Sequence, residues 1–343
     1  MKHTLRILTQ RLLPNINAGD RGPTSDHFDG RRFYNPSPIR HSACDLLRWW
    51  RERDSQPWQR VEHFEPPPAP PQRLEHGLRI TWINHATLLI QTAGLNILTD
   101  PIFSERASPL SWAGPRRYHP PGVAFDALPA IDIVAVSHAH YDHLDRVSIK
   151  RLIARFDPLF VVPLGLDAPI KRFGGRHIVS RDWWQGLDLN ERVRVTLTPA
   201  RHWSRRGLFD RNRSLWAGFW FDTPAGAVYF AGDTGMGSHF QAIRQQLGPP
   251  RIALLPIGAY EPRWFMAPQH MNPADAVEAH QLLGADQSIG IHFATFKLTD
   301  EGQHAPAAAL ARARSEAGLA AERFIAPAFG QAVSIDAHGS YPH

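Results

Sequence analysis

The sequence predicts an α/β protein in which two mixed β-sheets pack face to face between helical layers. Three observations predict it: short apolar runs of strand length recur from residue 78 onward, helix-length stretches separate them, and the strand-like runs fall into two groups along the chain. With 343 residues, 43% of them hydrophobic, the chain can bury a core of that size.

The opening MKHTLRILTQRLLPN is basic but lacks the sustained apolar core and cleavage site of a secretory signal, so residues 2–13 read as a short basic surface helix. The stretch Pro66-Pro67-Pro68-Ala69-Pro70-Pro71 is a stiff polyproline segment. It sets the expected boundary. Residues 1–76 form an N-terminal extension and Pro-rich linker, whose Trp49, Trp50 and Trp58 come with too few aliphatic runs for a separate core, and pack on a main domain spanning 77–343. In that domain LRITWI, TLLIQT and LNILTD read as strands, and the nearly unbroken apolar run IDIVAVS reads as a strand buried on both faces. Helices are expected at Arg146–Phe156, His239–Leu247, Pro273–Leu283 and Ala305–Glu316, and further strands in LFVVP, RVRVTLTP, LWAGFWFD, AVYFAGD, RIALLPIG and SIGIHF.

Composition narrows the chemistry. A single cysteine, Cys44, excludes an internal disulfide framework and any multi-cysteine metal site, so a bound metal must use histidine and carboxylate. No segment approaches a membrane-spanning run, which points to a soluble, cytoplasmic protein. The net charge of +6 favours anionic partners, whether phospholipid, phosphate ester or nucleic acid. Nucleic acid is not expected, because no basic stripe interleaved with aromatics is present. A Gly-x-Ser-x-Gly elbow and a Walker loop are also missing.

After the apolar run 131–136 the chain reads Ser137-His138-Ala139-His140-Tyr141-Asp142-His143-Leu144-Asp145. Three imidazoles and a carboxylate within six positions at the end of a buried strand suit metal ligation: zinc accepts both donor types, and alternation along the chain can serve two ions. Further ligands are expected at the ends of later apolar runs, where His202, Asp233 and His292 stand.

In that order these residues resemble the pattern of the metallo-β-lactamase superfamily, His-x-His-x-Asp-His followed by a His, an Asp and a His. The resemblance covers residues 78–335 and implies the αββα fold and two zinc ions per chain. It places one ion on His138, His140 and His202 and the other on Asp142, His143 and His292, with Asp233 bridging them. Within the superfamily the chain is most similar to the N-acyl-phosphatidylethanolamine-hydrolysing phospholipase D family and its bacterial relatives. Five stretches carry this likeness: Thr81-Trp82-Ile83-Asn84-His85-Ala86-Thr87, Leu98-Thr99-Asp100-Pro101-Ile102-Phe103-Ser104, the loop 137–145, Phe230-Ala231-Gly232-Asp233-Thr234-Gly235, and Gly258-Ala259-Tyr260-Glu261-Pro262-Arg263-Trp264-Phe265-Met266. The phrase Asp29-Gly30-Arg31-Arg32-Phe33-Tyr34-Asn35-Pro36 is similar to the extension of bacterial members.

What the likeness implies is a phospholipase D reaction on a phospholipid or other anionic ester. Asp142 would relay a proton besides ligating, and His270 would orient substrate or donate a proton. Tyr260, Arg263, Trp264, Phe265, Met266 and Gln269 would form the substrate mouth, an arginine for phosphate beside an apolar cluster for lipid. His85 and Asp100 are expected to be structural, Asp100 by accepting the second N–H of a metal-binding histidine. Arg201, Arg205 and Arg206 are candidates for a basic rim. Membrane-bound family members add the expectations of peripheral contact with the inner membrane face and of a homodimer. Two alternatives stay open: a lactonase or small-molecule phosphodiesterase using the same metals, and a metal-binding stress or resistance factor without turnover.

Overall fold

The computed structural model describes residues 23–38 and 42–336, so the helix expected at residues 2–13 lies outside the described residues. Fourteen strands among the described residues form two seven-stranded sheets. In the first, β1 (Leu78–Asn84), β2 (Thr87–Thr92), β3 (Leu95–Thr99), β4 (Ile133–Ala135), β5 (Leu159–Pro163) and β6 (Ile178–Arg181) follow chain order, and β14 (Ala332–Ile335) returns beside β1. The second runs from β7 (Gly186–Asp188) through β8 (Arg194–Thr198), β9 (Gly218–Asp222), β10 (Val228–Phe230), β11 (Ile252–Pro256) and β12 (Gln287–Ile291) to β13 (Phe324–Ile325). Strands β3 to β6 are parallel, as are β10 to β13. Parallel strands gather their C-terminal ends on one edge, where ligand sites of α/β sheets form.

The period-two geometry of a strand explains the unbroken apolar runs. Leu88, Ile90, Ile97, Ile133 and Val161 join a cluster that includes Phe219, Trp220 and Phe230 of the second sheet. Their neighbours Leu89, Leu98, Val134, Phe160 and Val162 turn the other way, into a cluster with Ile149 and Leu152 of α2 (Arg146–Phe156) and Ile170 of α3 (Asp167–Phe173). Both faces of these strands are therefore dry. Of the run IDIVAVS only Ile133–Ala135 is strand; beyond it Ser137 turns its backbone N–H to Asp100 Oδ1 at 2.6 Å.

The four expected helices are present at the expected bounds: α2, α4 (His239–Leu247), α6 (Pro273–Leu283) and α7 (Ala305–Glu316). Asp145 caps α2 by accepting from the backbone of Val147 and Ser148, and Asn272 with Asp275 forms a capping box ahead of Pro273. Three helices not expected complete the set: α1 (Ala43–Glu52), α3 and the single turn α5 (Arg263–Met266). The segment before β1 clings to the main body. Trp49 Nε1 donates to Asp300 Oδ2, Trp58 Nε1 to the Glu301 carbonyl, and the Pro71 carbonyl accepts from Gln91. No helix among the described residues is long and apolar enough to cross a membrane.

Candidate metal centre

Side chains scattered over more than half the chain meet beyond the C-terminal ends of strands from both sheets. Asp100 follows β3 and the loop 137–145 follows β4; His202, Asp233 and His292 follow β8, β10 and β12. The backbone is bent hard to deliver them. Asp100, His85 and His292 take φ values of 33°, 44° and 64°, each costing about 1–3 kcal/mol, which the surrounding packing must offset. Two glycines allow the close approach. A Cβ on Gly232 would fall 2.8 Å from that of Ser137, and one on Gly258 would fall 2.1 Å from the His292 carbonyl oxygen.

The sequence-predicted ligands converge. His138 Nε2 lies 2.7 Å from His140 Nδ1, which lies 3.3 Å from His202 Nε2. On the other side His143 Nε2 is 3.3 Å from His292 Nε2, and Asp142 Oδ2 is 3.3 and 3.4 Å from these two nitrogens. Asp233 Oδ2 sits between the groups, 3.2 Å from both His143 Nε2 and His292 Nε2 and 3.8 Å from His202 Nε2.

The outer faces of the rings decide which nitrogen points inward. Ser137 Oγ donates its one hydrogen to Asp100 Oδ2 at 2.6 Å, so it can only accept from His138 Nδ1–H at 2.9 Å. His143 Nδ1–H donates to Asp100 Oδ2 at 2.7 Å and His202 Nδ1–H to the Gln269 carbonyl at 3.0 Å. On His138 and His202 the bond leaves Nε2 as an inward lone pair, the tautomer a metal requires, and on His143 it turns Nε2 inward, where a bound cation would take the place of its proton. Burial, with His202 next, pushes His140 down to about 3, and burial likewise takes His202 to about 4. Across the centre the carboxylates overcome burial: Asp233 and Asp142 raise His292 to about 9, and Asp233, Asp142 and Asp100 hold His143 well above its ordinary value. A buried site with unshared nitrogens facing one another, and with Asp233 Oδ1 lacking any partner, suits a cation. The donor set fits the implied metal.

Asp100 braces a histidine of the centre as expected, and the structure adds what the sequence did not show. Ser137 extends the same brace to His138, and His85, 57 residues before Asp142, meets its Oδ2 with Nε2 at 2.9 Å. His270 is buried with Nδ1 unpartnered, 4.0 Å from Asp233 Oδ2, and burial holds it well below its ordinary value.

The residues expected at a substrate mouth divide. Arg263 is engaged with the His270 carbonyl at 3.0 Å and Asp275 at 2.6 Å, so its guanidinium fastens the turn rather than standing open for phosphate. Phe265 is buried, stacked 5.1 Å from Trp49, and Met266 is buried next to Gln269, whose backbone carbonyl braces His202. Tyr260 is buried, which pushes its hydroxyl up to about 12. Trp264 alone of the group is exposed, at 39%, with the Arg48 guanidinium 4.4 Å above its ring. Of the expected basic rim, Arg201 donates to the Met236 carbonyl, Arg205 to the Gly207 carbonyl and Arg206 to those of Ala139 and Leu144.

A family model described as a beta-lactamase superfamily domain matches residues 95–293. The chain belongs to the metallo-β-lactamase superfamily. Its sequence is 42% identical over 235 residues to N-acyl-phosphatidylethanolamine-hydrolyzing phospholipase D 1 of Caenorhabditis elegans, covering 65% of this chain and 66% of that protein. It is 35% identical over 227 residues to the mitochondrial N-acyl-phosphatidylethanolamine-hydrolyzing phospholipase D of Saccharomyces cerevisiae, covering 64% of this chain and 48% of that protein. The chain thus spans just under two thirds of one relative's length and about half of the other's. Among solved structures, the isothiocyanate hydrolase from Delia radicum gut bacteria shares this superfamily member's fold, with a TM-score of 0.61 at 22% identity over 75% of this chain and 99% of that one.

Proposed function

We propose that this chain is a metal-dependent hydrolase that cleaves N-acyl-phosphatidylethanolamine, or a closely related phospholipid diester, as a phospholipase D. One observation carries the reading: the inward nitrogens and carboxylates are brought to a single centre in a chain 42% identical to the nematode protein of that name. Imidazole and carboxylate donors without thiolate suit two zinc ions. His138, His140 and His202 would hold one, Asp142, His143 and His292 the other, with Asp233 between them. Bound zinc would supply Lewis acidity toward a phosphoryl oxygen and lower the pKa of water at the site.

The chain's own residues do the positioning. Asp100, Ser137 and the Gln269 carbonyl hold three rings in orientation. His85 fixes the Asp142 carboxylate, which is then placed to take a proton from the attacking water. His270, kept neutral by burial, offers Nδ1 to a substrate oxygen. Trp264 gives the lipid an exposed aromatic face. A lipid substrate also supports a cytoplasmic protein that meets the inner membrane face peripherally.

The test is incubation of zinc-loaded protein with N-acyl-phosphatidylethanolamine in mixed micelles, products read by mass, beside His138→Ala, Asp233→Ala and a chelated sample. Phosphatidic acid and N-acylethanolamine from the loaded native protein alone are expected. Two bound zinc ions without lipid turnover would transfer the site to a lactone or small phosphodiester.

A further inference from the structure

A second cleft lies behind the metal loop, on residues that alternate with its ligands. Ala139 and Tyr141 line a cavity of about 420 Å³ together with Arg172, Arg206, Asp210 and Arg213. None of the three arginines has an ion pair within 4.0 Å among the described residues, and the Arg213 Nε is buried without a partner. Asp210 spends its carboxylate on the backbone N–H groups of Arg206 and Gly207, closing the loop, and with Asp145 it also attracts the Arg206 guanidinium from a distance. Arg206 is laid over the Tyr141 ring at 4.4 Å, and Tyr141 in turn donates to the Arg206 carbonyl. Arg206 is held in the wall by the Ala139 and Leu144 carbonyls, which leaves the Arg172 and Arg213 guanidinium groups in the cleft to receive an anion, and their forked donors suit phosphate.

The rim says which anion. The same loop that supplies Arg206 and Arg213 carries Leu208 and Phe209 at its tip, 78% and 83% exposed, between Arg205 and Arg211. Adjacent large apolar side chains standing in water beside cationic groups match the interface of an anionic membrane: apolar tip among the acyl chains, arginines at the phosphates. We infer that the Arg172–Arg206–Arg213 cleft and the Leu208–Phe209 tip form a docking site for the phosphate head group of an anionic phospholipid, separate from the metal centre. Preference for a lipid over a free phosphate rests on the exposed tip and on the phospholipid reading above.

The experiment is co-sedimentation of the full chain, chelated to prevent turnover, with phosphatidylcholine vesicles with and without phosphatidic acid. Binding is expected only with phosphatidic acid. Arg172→Ala with Arg213→Ala should weaken it roughly tenfold or more, and Leu208→Ser with Phe209→Ser should weaken it comparably. Arg192→Ala with Arg194→Ala, the same charge loss at the opposite end of β8 from His202, should leave it intact. Thermal melting confirms that each variant is folded. Equal loss in both arginine pairs, or none in the first, overturns the inference. So does inorganic phosphate raising the melting temperature through Arg172 and Arg213 while vesicles are ignored, which makes the cleft a free-phosphate site. Because no turnover is needed, vesicle binding without hydrolysis would fault the proposed activity alone, and hydrolysis in micelles without vesicle binding would fault the docking site alone.

Discussion

The two halves of the centre draw on one loop yet are braced by opposite chemistry. His138 and His202 hand their outer N–H groups to neutral acceptors, Ser137 Oγ and the Gln269 carbonyl, whereas His143 hands its own to the Asp100 carboxylate and His292 faces Asp142 and Asp233. Burial and the neighbouring imidazoles therefore lower the rings of the nitrogen half, while in the acid half the carboxylates overcome the same burial and raise His143 and His292. At equal depth the carboxylates facing a ring decide the direction of its shift.

Asp233 joins the halves, so changing it should have the largest effect. Asp233→Asn is expected to lower kcat/KM by about a thousandfold or more, the several kcal/mol a metal contributes to a hydrolytic transition state, and to reduce metal content at both positions. Kinetics with elemental analysis checks both. Asp100→Asn comes next. Asp100 braces His143 directly and His138 through Ser137, so about 10–100-fold in metal affinity should be lost across both halves. Ser137→Ala removes the brace of His138 but leaves the Asp100–His143 bond in place, and should stay near the lower end of that range, about tenfold. Equal losses from these two variants in a metal titration would erase the distinction between neutral and charged braces.

The smallest expected effect separates burial from metal loading. His239 lies outside both halves, its Nε2 3.1 Å from Thr234 Oγ1, and burial with Arg201 beside it pushes it down to about 3. Its folded pKa lies below the unfolded value, so the unfolded chain takes up the proton first; stability is intact above about pH 6.5 and declines as pH falls, by at most about 1.4 kcal/mol per pH unit from this ring. Urea unfolding of chelated His239→Gln across that window should show a shallower decline than the native chain.

The convergence was legible because its histidines and carboxylates stand out in the chain: four crowd into one loop and the rest close apolar runs, which in parallel sheets end on a common edge. The four long helices were legible for a similar local reason, their pattern lying within each segment, and α2 and α6 also carry side-chain caps at their starts. What escaped was non-local or small. Strands β6 and β7 are short and only partly buried, so IVSR and GLD carry no apolar run, and β13 has two residues. Serine before a histidine is unremarkable until Asp100 arrives from 37 residues away to fix its hydrogen. Arg263 was expected to meet phosphate because its partners, the His270 carbonyl and Asp275, reach it only when the turn at α5 folds against α6.

The most direct test is anomalous diffraction at the zinc edge from crystals of the zinc-loaded chain. Two peaks are predicted, one among His138, His140 and His202, the other among Asp142, His143 and His292, with Asp233 in contact with both. A single peak, or none within this set of side chains, would contradict a two-metal centre.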